Sequence, residues 1–195
     1  KISQTGGGSG SGLGVISIVG MSTVHIGSGI EFGVAPIAHV FVHHRQAYCQ
    51  ILDATYTISG GATYHLFSAG GTLFHEGNAV TLTGTPAFSG AFALATMGGM
   101  IQYNAGSFTG GATGIRYSCT SNGTINTLGA GTSAFPGSVA GIVNSEDGGV
   151  YSDEVAITGM MAGTSGFRNF ARTLTGTANE ITVTFGDGQA GNPTF

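Results

Sequence analysis

"GGATYHLFSAGGTLF" (residues 60–74) and "GGATGIRYSCTSNGTI" (residues 110–125) are near-copies of one phrase. Each opens Gly-Gly-Ala-Thr, reaches a tyrosine (Tyr64, Tyr117), crosses a short apolar stretch to a small-residue break, and resumes apolar. Repetition at a fixed period marks stacked-repeat architectures. Five strand-like starts align, at Ile16, Val40, Tyr64, Phe92 and Tyr117, with spacings of 24, 24, 28 and 25 residues. Two positions after each lies Ile18, Val42, Leu66, Leu94 or Cys119. Residues i and i+2 of a strand share a face, so these ten apolar side chains define one buried face. A second column runs His25, Cys49, Leu73, Ile101, with Ile125 one place early in the fifth coil. A third runs Phe32, Tyr56, Val80, Phe108 and slips to Phe135.

Three short strands per turn, with glycine-rich corners, predict an all-β chain. The expected fold is a parallel β-solenoid of about five coils of ~24 residues over 14–137. The coils are expected to be right-handed, the usual sense of parallel crossovers. A β-sandwich also has evenly spaced short strands, but its strands do not repeat a phrase in register.

Composition agrees. Of 195 residues 37 are glycine and four proline, with no Gly-X-Y period, which excludes collagen. Charged residues are 7% and hydrophobic ones 41%, which excludes a disordered chain. Net charge is −4 and the five basic residues are scattered, so no phosphate-binding cluster and no nucleic-acid partner is expected. No run of eighteen apolar residues predicts membrane insertion. Cys49 and Cys119 show neither metal spacing nor a disulfide framework and read as small core residues.

The ends differ in style. Residues 1–13, containing "QTGGGSGSG", read as a Gly/Ser-rich linker. Residues 138–171 read as a connector or cap with turn signals, and residues 172–195 as a C-terminal β-hairpin module. In the last, "EITVTF" puts Ile181, Val183 and Phe185 on one face. The missing initial methionine and a second strand starting only near Thr194 fit a piece of a longer chain.

"GTANEITVTFGDGQAGNPTF" (176–195) resembles a sequence of bacteriophage tail fibre and tailspike proteins that typically reads "GTANQITVTNGDGVAGNPT". It departs at Glu180, Phe185 and Gln189. "TLTGTPAFSGAFALA" and "GGVYSDE" also look like the glycine-rich β-helical segments that precede this motif in such fibres. The resemblance implies an extracellular virion tail component that attaches to the host surface. It implies a homotrimer that contacts other virion tail proteins and a polysaccharide or protein receptor. A lone hairpin is too small to be stable in water. Three copies closing their edges around Ile181, Val183 and Phe185 is therefore the expected use of the C-terminal strand.

No catalytic motif is present, and no enzyme activity, cofactor or metal is assigned. The expected receptor contact is a loop formed by the insertion after Thr81, at Thr85, Pro86 and Phe88, because loops on a regular stack carry binding variation. Some tailspikes cleave polysaccharide, which requires two carboxylates ~5–9.5 Å apart. On the coil offsets Glu31 and Asp53 would be that pair, with Glu76 toward a corner. The histidines around Val40 (His39, His43, His44) and those of the next coil (His65, His75) would need to face one axis to hold a metal. His43 and His44 point to opposite faces if their strand continues.

Overall fold

The computed structural model describes residues 1–3 and 14–153, with two short strands at 163–164 and 168–169. No helix occurs among the described residues. The first coil contains β1 (Gly14–Val19), β2 (Thr23–Ile26) and β3 (Glu31–Phe32). The second contains β4 (Ala38–His43), β5 (Tyr48–Leu52) and β6 (Thr55–Ile58), and the third β7 (Ala62–Ala69), β8 (Thr72–Glu76) and β9 (Ala79–Leu82). The fourth has β10 (Ala87–Thr96), β11 (Met100–Asn104) and β12 (Ser107–Thr109), and the fifth β13 (Thr113–Gly114), β14 (Tyr117–Cys119) and β15 (Thr124–Asn126). β16 (Ile142–Val143) and β17 (Val150–Ser152) follow. Each strand pairs in parallel with its equivalent in the next coil, which makes three sheets. The first runs β1-β4-β7-β10-β14-β16, with β13 beside β10. The second runs β2-β5-β8-β11-β15-β17, and the third β3-β6-β9-β12. The chain is a parallel β-solenoid.

The stack is longer than the sequence suggests at both ends. β16 and β17 pair with β14 and β15, so the stack extends past the expected limit at 137 to Ser152. At the other end Ile2 bridges to Phe32 and its N–H bonds to the Glu31 carbonyl, so residues 1–3 of the expected linker begin the third sheet. A compact unit spans Lys1–Val155, and Ala156–Phe195 form a second. In the second unit β18 (Gly163–Thr164) pairs antiparallel with β19 (Arg168–Asn169). Residues 4–13 and the expected hairpin at 172–195 lie outside the described residues.

The second sheet alternates strictly, with Val24, Cys49, Leu73, Ile101, Ile125 and Tyr151 in one ladder row. This corrects two readings: Val24, not His25, belongs to the inner column, and Ile125 is not out of register. In the third sheet Phe32 pairs with Ile58 rather than Tyr56, while Tyr56, Val80 and Phe108 stack as expected.

The first sheet departs further from period two. Ile16 pairs with Val40 and Ile18 with Val42, as expected, but Val40 then pairs with Leu66, Leu66 with Ala93 and Ala93 with Tyr117. The cause is a bend at which two successive residues face the core: Val15 and Ile16, His39 and Val40, His65 and Leu66, Phe92 and Ala93. Tyr64 and Phe67 pack instead against a separate cluster around Ala38 and Phe41. The bend places Val15, His39, His65 and Phe92 in one interior column.

Corners are left-handed wherever the stack demands it, with or without glycine. Asp53, Gly77 and Ala105 occupy the same corner in successive coils with φ of 47°, 64° and 50°. Asn78, next in line, is buried and caps the preceding corner. Its Nδ2 donates to the Ile51 carbonyl at 2.7 Å and its Oδ1 accepts from the Ala54 N–H at 2.8 Å. Gly123 is required for a different reason: a Cβ there would lie 2.1 Å from the Ala95 carbonyl oxygen of the coil above.

Gly123→Ala is expected to lower unfolding free energy by about 2–3 kcal/mol, because backbone must shift to admit the methyl. Ala105→Gly should raise it by roughly 0.5–1 kcal/mol by relieving the left-handed strain of an L-residue. Urea titration of the two variants would read both signs.

Candidate functional site

The insertion expected to protrude is absorbed into the stack. The link from Leu82 to Ala93 is three residues longer than that from Ile58 to Leu66. The excess is taken up in a tight turn at Gly84 and Thr85 (φ 70° and 50°) and in a register shift between Phe88 and Ala91. Thr85 is exposed, but Pro86 is buried and its carbonyl accepts from the Thr113 N–H at 3.1 Å. Phe88 is a core residue packed on Phe92, His39 and His65. The three do not form a contact loop, because an apolar ring in the insertion is pulled inward rather than displayed.

The expected carboxylate pair is not assembled either. Glu31 pairs with Thr57 on the next coil, whereas Asp53 lies at the corner before β6, so the two are not ladder neighbours. Glu31 accepts a hydrogen bond from the Ser59 hydroxyl and an ion pair from Lys1 Nζ at 2.9 Å. The Ser59 hydroxyl, then Lys1, hold its carboxyl below the ordinary range. Asp53 sits at the corner described above, against Gly77. Glu76 accepts from Gln102 Nε2 at 2.6 Å. His43 and His44 do not oppose each other across a strand, because β4 ends at His43, and their rings pack 3.9 Å apart.

The outer face of the second sheet gathers polar and aromatic groups in register. One row contains Thr23, Tyr48, Thr72, Met100 and Thr124. The next contains His25, Gln50, Phe74, Gln102 and Asn126. A third contains Leu52, Glu76 and Asn104. Tyr48 and Phe74 lie 5.4 Å apart, and Gln50 Nε2 donates to the Tyr48 hydroxyl at 2.7 Å. Thr23, His25 and Leu52 are exposed, and the others are half-buried, so their positions are held by neighbours above and below. The rows carry no lysine or arginine, and Glu76 is their one carboxylate. Such a face suits an uncharged ligand with an apolar side and many hydroxyls: rings supply apolar area, and amides both donate and accept. The alternating strings "YCQIL", "TLFHE" and "MIQYN" already contain this face, once their odd members are read as outward.

Sequence reasoning also missed the interior. His39, His65 and His75 are fully buried together with Tyr56. His39 Nε2 lies 2.8 Å from the Gly33 carbonyl, and His39 Nδ1 lies 3.0 Å from His65 Nδ1. The Tyr56 hydroxyl lies 2.9 Å from His65 Nε2 and 2.8 Å from His75 Nε2. The available signal was a histidine directly before the apolar residue of two successive repeats, His39-Val40 and His65-Leu66. No group of three metal-binding side chains is assembled among the described residues.

Cys49 and Cys119 are buried free thiols, as expected of core residues, and burial pushes each up to about 12. Neither should react with a thiolate-selective reagent in the native protein at pH 8, and both should react in denaturant. Mass spectrometry after alkylation would read this directly. Set against protein-family models, curated proteins and solved structures, the chain matches none.

Proposed function

We propose that this chain is a segment of a bacteriophage tail fibre or tailspike, a virion structural protein that attaches to the host surface. The observation that carries the reading is the outer face of the second sheet, where five coils hold Tyr48, Phe74 and flanking amides in fixed rows. A stack whose outward rows are locked by ladder register presents a preorganised surface, and little freedom is lost on binding. The resemblance of residues 176–195 to phage fibre sequences supplies the setting. The receptor is an uncharged stretch of host polysaccharide lying along the coils, and the segment works as a homotrimer on the tail.

A polysaccharide-degrading tailspike is the second reading; Glu31 and Asp53 are not ladder neighbours, which argues against that pair as its centre. A bacterial β-solenoid adhesin would use the same face in a different setting.

Incubation with a panel of purified bacterial capsules and lipopolysaccharides separates these readings. Retention without new reducing ends is the expected result, and release of reducing ends would establish the depolymerase. Phe74→Ser should weaken retention at least tenfold while shifting the thermal midpoint little, since Phe74 is half-buried and faces outward. Sedimentation equilibrium of the whole chain should return three times the 19.4 kDa chain mass. Localisation on purified virions distinguishes the fibre from the adhesin.

A further inference from the structure

The buried histidines and Tyr56 form one continuous thread across the core, and its direction is fixed. The Gly33 carbonyl can only accept, so His39 carries its proton on Nε2. Its Nδ1 is then an acceptor, and His65 donates to it from Nδ1. His65 Nε2 accepts from the Tyr56 hydroxyl, whose oxygen accepts from His75 Nε2. Three neutral imidazoles and one phenol hold four protons, and the four bonds use all of them. The thread ends at His75 Nδ1, which is buried with no hydrogen-bond partner. It joins all three sheets: His39 and His65 lie on the first, His75 on the second, Tyr56 on the third.

One added proton has a single place to enter without setting two donors face to face, and that is His75 Nδ1. It would bring a charge into a core that cannot answer it. The titratable groups facing the thread are Cys49 from β5 and Tyr103 from β11, both neutral, besides its own members. Phe32 from β3, Phe88 and Phe92 from β10 and Phe108 from β12 supply only rings. Among the described residues no carboxylate, lysine or arginine is buried, and Glu31 on β3 pairs with Lys1 at the surface. A second proton would break a bond of the thread outright.

We propose that the His39–His65–Tyr56–His75 thread is an acid-released latch that closes the second and third coils at neutral pH and lets them open below about pH 6, while the fourth and fifth coils stay stacked. The later coils have no such liability: their interior is Phe92, Ile101, Ile125, Cys119 and Phe135. Coil one rests on coil two and opens with it. Burial lowers His39 to about 4 and His75 to about 3, and burial, then the neighbouring histidines, hold His65 well below the ordinary value. An opened coil returns each imidazole to about 6.5. The open state therefore binds more protons, and closure is fully favoured above that value and lost as pH falls toward the buried ones. The opening equilibrium rises about tenfold per pH unit for each proton taken up.

Amide hydrogen exchange on the full chain, expressed as protection factors at about pH 7 and about pH 4.5, tests this. Protection over β4–β8 should fall at least a hundredfold, and that over β14, β15 and β17, which bond only to later coils, should change less than about threefold. A uniform loss along the chain, or none in β4–β8, would overturn the proposal. Replacing the thread with the residues of adjacent coils (H39V, H65F, H75I, with Tyr56→Phe) should keep β4–β8 protected at the lower pH. Should that variant not fold, His75→Ile alone removes the proton's entry point and should move the opening to lower pH. Opening at the wild-type pH in either variant would equally sink the latch.

Discussion

No strand of the solenoid pairs with another strand of its own coil; every ladder bond goes to the coil above or below. That constraint governs the rest of the structure. A single turn of about 24 residues buries one side of three short strands and leaves every strand N–H and C=O outward along the stack. It is stable only when its neighbours supply both the hydrogen bonds and the other half of the core. Side chains at equivalent positions are consequently held about 4.8 Å apart, the strand spacing. This is why rings meet rings from coil to coil: Phe41 lies 4.6 Å from Phe67, His65 4.8 Å from Phe92 and His75 5.5 Å from Tyr103, each pair at one ladder position. It is also why like polar groups converge inside, since histidines placed once per coil at one position must touch.

The period was legible because the second sheet obeys it strictly. Cys49, Leu73 and Ile101 are inward residues of strands with simple alternation, and they aligned without adjustment. The first sheet was misread because alternation fails at the bend. A reading that allows only every second residue inward must choose between His65 and its neighbours. It chose Tyr64 and Leu66, when the structure buries His65 and Leu66 together. The same assumption made Leu94 a core position in place of Ala93. The stretch after 137 read as a connector because β16 has two residues and β17 three, too few to show any period.

The candidate site was less legible than the fold. Thr85, Pro86 and Phe88 read as a loop because insertions in repeats usually protrude, and nothing in the string shows that Phe88 stacks on Phe92. Glu31 and Asp53 were aligned by counting from coil starts, and the count failed because Phe32 pairs with Ile58. The polar and aromatic rows of the second sheet follow from the same parity as its core column, because the residues between Cys49, Leu73 and Ile101 must face outward. The histidine thread joins three sheets, and contacts between sheets are not encoded in the period of any one of them.

The register shift between Phe88 and Ala91 has a consequence for how such a chain changes length. Extra residues in the second sheet would turn Tyr48, Gln50 and their equivalents inward and expose the apolar row beneath, so that sheet tolerates no odd change. The passage from third to first sheet absorbed three extra residues with the ladder resuming at once on Ala91. Descendants of this gene can therefore grow by whole coils copied end to end or by drift at the corners, at this seam and at the passage from first to second sheet, where Val40 to Tyr48 is two residues longer than Leu66 to Thr72. Relatives should differ from it in length mainly at those two passages, with the strings around Tyr48, Phe74 and Gln102 kept at constant size.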